Sequence, residues 1–137
     1  MLFRSNLATH LALPVENHLV DLPRAKYFVP GSVLTAKVDT RHPLAAGMRE
    51  RTDVFFDNSP VFKLRPGAID AGVRSIMMFD NASPLHSGWA WGQQYLNGGV
   101  LAVEAAVGKG RVVLFGPEIL QRAQPHATFK LLFNGVY

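Results

Sequence analysis

The densest group of side chains able to do chemistry lies in the segment FGPEILQRAQPH, positions 115–126. It follows an apolar run that reads as a core strand. In an open α/β sheet it would leave that strand at its carboxyl end, where ligands usually bind. Glu118, Arg122 and His126 could form a carboxylate–cation network there. A small hydrolase acting on an ester, lactone or peptide bond would use such a network for proton transfer, with Asp57 or Asp80 nearby. The plainer reading pairs Glu118 with Arg122 to hold the loop between Pro117 and Pro125, and leaves His126 to cap the last helix. Both readings predict that Glu118 and Arg122 touch and are partly buried.

A second group is the run GWAWG at 88–92. Trp89 and Trp91 could stack on a sugar or a peptide side chain. Asn58, in the turn Asn58-Ser59-Pro60, joins them as a candidate for substrate binding. The alternative is that the two indoles plug a sheet face beneath a loop.

Metal and nucleophile signals are weak. The five histidines, His10, His18, His42, His86 and His126, form no HExxH pattern. Asp39 and His42 could share a ligand, but Asp-x-x-His before a proline reads more simply as a turn cap. No metal or other cofactor is expected. There is no G-x-S-x-G elbow, and Ser59, Ser83 and Ser87 sit beside proline or glycine in turn chemistry. Gly98-Gly99 and Gly108-Lys109-Gly110 do not fit a phosphate loop.

These residues must be positioned by a chain of 137 residues, enough for a single domain over 1–137. Hydrophobic residues make up 48% and charged residues 18%, a globular balance that excludes disorder as the main state. The absence of cysteine excludes disulfides and thiol nucleophiles. Fourteen basic residues against ten acidic ones give a net charge of +4. They are scattered, so no nucleic-acid partner is expected. No apolar run approaches the roughly 20 residues that span a bilayer, so no membrane partner is expected. The first 18 residues are too polar for a signal peptide, and localisation stays undetermined.

Periodicity supplies the elements. A short helix is predicted over 5–13, with Ser5 or Asn6 as N-cap. Met1-Leu2-Phe3 reads as the end of a strand. Ser32–Val38 alternates as a strand, and His42–Met48 reads as one helical turn ended by Gly47. Short strands follow at Asp53–Phe56 and Val61–Leu64, and a buried strand at Val73–Phe79. Trp89–Leu96 is a short helix or a loop. Gly99–Val107 and Arg111–Phe115 flank a tight glycine turn as a hairpin. Phe129, Leu132, Phe133 and Val136 give the last segment, 128–136, a helical spacing. Val73–Phe79, Val100–Val107 and Arg111–Phe115 are expected as adjacent central strands, with Phe129, Leu132 and Phe133 packed on one face. The sum is an α/β layered domain with a C-terminal β-hairpin and a terminal helix.

Six strings carry a resemblance: VPGSVL (29–34), DTRHPLAAGM (39–48), VFFDNSPVF (54–62), SGWAWGQQYLNGG (87–99), VGKGRVVLFGPEILQRAQPH (107–126) and TFKLLFNGVY (128–137). Through them residues 29–137 resemble the C-terminal extension of bacterial zinc carboxypeptidases of the carboxypeptidase A-like class. The resemblance implies a class I glutamine amidotransferase-like, partial flavodoxin-like sheet, and a parent family that is often exported. It also implies what is missing. No histidine here is followed by Glu three residues later, as the peptidase zinc site would need. The amidotransferase Cys nucleophile has no counterpart, and Gly116 stands where that family's catalytic histidine would be. The expected function is therefore a non-catalytic accessory or assembly domain for a zinc carboxypeptidase, with the hydrolase at Glu118, Arg122 and His126 as the alternative. A doubly wound sheet that begins late would expose an edge. A homo-oligomer is expected, most simply a two-fold dimer through the N-terminal segment or a sheet edge, and a peptidase domain is a further possible partner.

Overall fold

A computed structural model describes residues 2–136, with side chains from 6 to 136. The chain runs α1 (Leu2–His10), β1 (Val15–Asn17), β2 (Ser32–Val38), β3 (Arg51–Phe56), β4 (Phe62–Leu64), β5 (Val73–Met78), β6 (Leu85–Ser87), β7 (Val100–Val107), β8 (Gly110–Phe115) and α2 (Phe129–Val136). Short 3₁₀ turns lie at Pro43–Ala45, Gln93–Leu96, Gln121–Ala123 and His126–Thr128.

The strands form one eight-stranded sheet in the order β1-β4-β7-β5-β2-β3, with β6 beside β2 and β8 beside β7. Alternation along β2 explains its place. Ser32, Leu34, Ala36 and Val38 are buried, while Val33, Thr35 and Lys37 face outward. On β3, Thr52, Val54 and Phe56 take the same inner face. β7 is different, because its first six residues are all buried. It gives Leu101 and Ala102 to the larger core cluster and Val100, Val103 and Ala105 to the smaller one. A strand covered on both faces reads as a near-continuous apolar run, interrupted here only by Glu104.

The mixed α/β character, the hairpin and the terminal helix agree with expectation. The β7–β8 hairpin turns on Gly108-Lys109, where Gly108 has φ 58° and a side chain would be strained. β5, β7 and β8 are adjacent as expected, but β8 pairs with β7 alone and is an edge strand, not a central one. The strand pairings depart from the flavodoxin-like arrangement. Every pairing among the described strands is antiparallel. Parallel pairs need crossover connections, usually helical, and both α-helices here lie at the ends of the chain.

Two terminal expectations are corrected. Leu2 and Phe3 open helix α1 instead of closing a strand, and that helix ends at His10 rather than at residue 13. Met1 lies outside the described residues. In α2 the fully buried side chain is Leu131, at 1% exposure, whereas Phe133 is 53% exposed and Leu132 is half-buried. The docking face is chosen by the turn at Pro43–Ala45. Asn134 Nδ2 donates to the Leu44 and Ala46 carbonyls at 2.9 and 3.1 Å, and Lys130 Nζ donates to the Gly47 carbonyl at 2.5 Å. These polar anchors rotate Leu131 inward.

Candidate functional site

The segment after β8 does not assemble the expected network. Glu118, Arg122 and His126 are all exposed. Among the described residues, no ion pair or hydrogen bond joins the Glu118 and Arg122 side chains. The backbone gives the reason. Arg122 and Ala123 both have positive φ, 46° and 55°, which reverses the chain where a continuing helical turn would have aligned the side chains. His126 caps no helix with its ring. Its Nε2 lies 3.0 Å from the Ala123 carbonyl, and its ring tilts against Phe129 at 5.2 Å. What organises this loop is Thr128, whose buried hydroxyl lies 2.6 Å from the Ile119 carbonyl and 2.9 Å from that of Pro125.

The two tryptophans form a built surface. Trp89 and Trp91 are 53% and 54% exposed, so they do not plug the sheet beneath a loop. Their backbone is pinned on both sides. The Trp89 N–H donates to Ser32 Oγ at 3.0 Å, and Ser32 Oγ donates to the Trp89 carbonyl at 2.9 Å. Trp91 and Phe28 exchange backbone hydrogen bonds at 3.0 Å in both directions. The flanking glycines make this close approach possible. A Cβ on Gly88 would meet Ser32 Oγ at 2.6 Å, and a Cβ on Gly92 would lie 2.0 Å from the Lys26 carbonyl. Both residues also have positive φ. The spacing Gly-Trp-Ala-Trp-Gly is thus what lets a loop lie flat on residues 26–32 while keeping both indoles outward.

Around them the surface is aromatic and basic. The Trp89 ring meets Phe28 edge-on at 6.0 Å, and the Arg24 guanidinium sits 5.0 Å over the Phe28 ring. Trp91 Nε1–H donates to the Ala25 carbonyl at 2.8 Å, which fixes the indole plane. Trp91, Lys26, Gln94 and Tyr95 line an open cleft of about 440 Å³. Lys26 is exposed, with no ion pair among the described residues. Asn58 stands apart from this cleft. Its Oδ1 accepts from the Val29 N–H at 3.0 Å and its own N–H donates to the Val29 carbonyl at 2.7 Å, so it holds a turn at φ 42°.

Compared with family models, with curated proteins and with solved structures, the chain has no significant match. Function must be argued from the geometry.

Two polar networks escaped the sequence reading. On the outer face, His86 Nδ1 lies 2.8 Å from Asp53 Oδ2, and Thr35 Oγ1 donates to Asp53 Oδ1 at 2.7 Å. The register that sets Thr35 opposite Asp53 brings these groups together across β2, β3 and β6. In the interior, Glu104 lies between His42 and Arg111. His42 Nδ1 accepts from the Leu44 N–H at 3.2 Å, so in the neutral ring the proton is on Nε2, 3.3 Å from Glu104 Oε2. The two atoms are close but not aligned as a hydrogen bond. Arg111 Nη1 reaches Glu104 Oε1 at 3.3 Å. The Thr35–Asp53–His86 group and the His42–Glu104 contact join residues far apart in sequence, which no local spacing signals, while Arg111 reaches Glu104 across the β7–β8 hairpin. Asp39 and His42 make a turn, with the His42 N–H on the Asp39 carbonyl and Asp39 Oδ1 accepting from the Arg41 N–H. Among the described residues, no three His, Asp or Glu side chains gather in a group that could hold a metal ion, and no helix is long and apolar enough to cross a membrane.

Proposed function

We propose that this chain is a non-catalytic accessory domain of the zinc-carboxypeptidase kind, which holds peptide chains for a peptidase domain through the Trp89–Trp91 surface. The observation that carries the reading is the cleft lined by both the fixed Trp91 indole and Lys26, which has no ion pair among the described residues. An exposed indole held by its own hydrogen bond offers apolar area with little entropy left to lose on binding. Lys26 supplies a charge for a free α-carboxylate, and Arg24 over Phe28 adds a second cation nearby. Together they suit the C-terminal end of a peptide that carries a large apolar side chain. The family resemblance in residues 29–137 points the same way, since a carboxypeptidase acts on that end of its substrates.

Calorimetric titration with short peptides ending in Phe or Leu tests this. The expected result is weak binding, with Kd on the order of 0.1–1 mM, set by one aromatic contact and one exposed charge pair. Amidating the peptide C-terminus should weaken it, and Trp91→Ala should abolish it. Equal binding of acid and amide peptides, or none at all, would contradict the reading.

A further inference from the structure

We infer that β8 is a self-pairing edge, through which two copies of this chain join their sheets about a two-fold axis. β8 forms its ladder with β7 along one side only. The phase of that ladder is fixed at its end, where the Gly116 N–H donates to the Leu101 carbonyl at 2.7 Å. Partners in an antiparallel ladder alternate, so Val112 and Leu114 turn their backbone groups toward β7. Arg111, Val113 and Phe115 turn theirs to the open side, where no backbone hydrogen bond engages them among the described residues. Unpaired edge groups of this kind template the addition of another strand.

The occupant is a second copy because the edge complements itself. Antiparallel pairing centred on Val113 sets Val113 opposite Val113 of the second copy, and Arg111 opposite Phe115 of the second copy. All three outward-facing residues then meet outward-facing residues, and the contact closes in two-fold fashion. Charge agrees with this register. Lys109 and Glu118 are both exposed, and neither has an ion pair among the described residues. The two-fold pairing brings Lys109 of each copy within one register step of Glu118 of the other. The same pairing would cover the apolar cleft of about 520 Å³ beside β8, whose lining includes Leu7, Val113, Phe115 and Ile119. Glu118 is thereby given a role at an interface rather than in a catalytic network.

The test is the mass in solution at micromolar concentration, by light scattering coupled to size exclusion. The expected mass is twice the chain's 15.1 kDa. Val113→Pro removes only an outward N–H, so it should give a monomer with unchanged circular dichroism. If proline perturbs the fold, charge reversal provides a second route. Glu118→Lys should weaken the dimer by about tenfold, and Lys109→Glu combined with it should restore it. A wild-type monomer at 15.1 kDa, or a dimer indifferent to both Val113→Pro and Glu118→Lys, would overturn the inference.

Discussion

Ser32 and Trp89 are joined by two hydrogen bonds through one oxygen: the Trp89 N–H donates to Ser32 Oγ at 3.0 Å and Ser32 Oγ donates to the Trp89 carbonyl at 2.9 Å. The hydroxyl is buried at the first residue of β2, and it satisfies both backbone groups of a residue whose ring lies in solvent. Ser32→Ala leaves that N–H and carbonyl without this partner, which should cost about 1–3 kcal/mol. Thermal unfolding measures the loss. The same variant should broaden the Trp89 indole signal in NMR, because the ring's anchor has gone. A stability within about 0.3 kcal/mol of wild type, with an unchanged indole signal, would mean that this pair does not fix the surface.

Helix α2 gives a second prediction. Leu131 is buried against the larger core cluster, and Phe133 is mostly in water. Leu131→Ala should cost about 2–5 kcal/mol, and Phe133→Ala less than about 1. Chemical denaturation of the two variants decides it, and the reverse order would place α2 in a different rotation.

How much of this was legible in the sequence depended on how local the signal was. Ser32–Val38 matches its strand to the residue, because alternation is a property of the segment itself. The β7–β8 hairpin was readable for the same reason, from two apolar runs around a tight glycine turn. β1 and β6 were missed because three residues, Val-Glu-Asn or Leu-His-Ser, carry no period. The rotation of α2 was misread because its apolar residues at 129, 131, 132, 133 and 136 permit several faces, and Asn134 on the Leu44 carbonyl chooses among them. Glu118 and Arg122 are expected to meet in a loop held at both ends by Pro117 and Pro125, but two residues of positive φ divert the chain. The GWAWG run stood out as a surface motif. The reason for its glycines, the close approach to Ser32 and Lys26, belongs to tertiary structure alone.

The Glu104 network supplies a third prediction. Its carboxylate is buried beside His42, while the Arg111 side chain is 71% exposed. Glu104→Ala should cost about 2–4 kcal/mol, since it removes a buried partner and leaves a cavity. Arg111→Ala should cost less than about 1, as exposed partners do. Equal costs in urea titration would show that the exposed guanidinium is the stabilising member.

A fourth prediction concerns pH. Arg51 of β3 grips Asp80 with both terminal nitrogens, at 2.5 and 2.7 Å, and these hydrogen bonds hold the Asp80 carboxyl below its ordinary 3.8. A carboxylate with a depressed folded pKa stabilises above its unfolded value and loses that contribution as the pH falls through the folded pKa. Carbon-detected NMR titration should find Asp80 still ionised below pH 3.8, and Arg51→Ala should return it toward that value. The pair is exposed to solvent, so the associated stability is small, under about 1 kcal/mol. An Asp80 midpoint unchanged by Arg51→Ala would remove the pair from the account.

The central claim is that the Trp91–Lys26 cleft receives the carboxyl end of a peptide. The most direct measurement follows the Trp91 indole and the Lys26 ammonium signals while a peptide ending in a free carboxylate is added. The account predicts that both signals shift together and saturate, that the amidated peptide moves the indole less, and that Lys26→Glu suppresses the response to the acid peptide. Signals at Trp91 and Lys26 that stay fixed throughout the titration would contradict it.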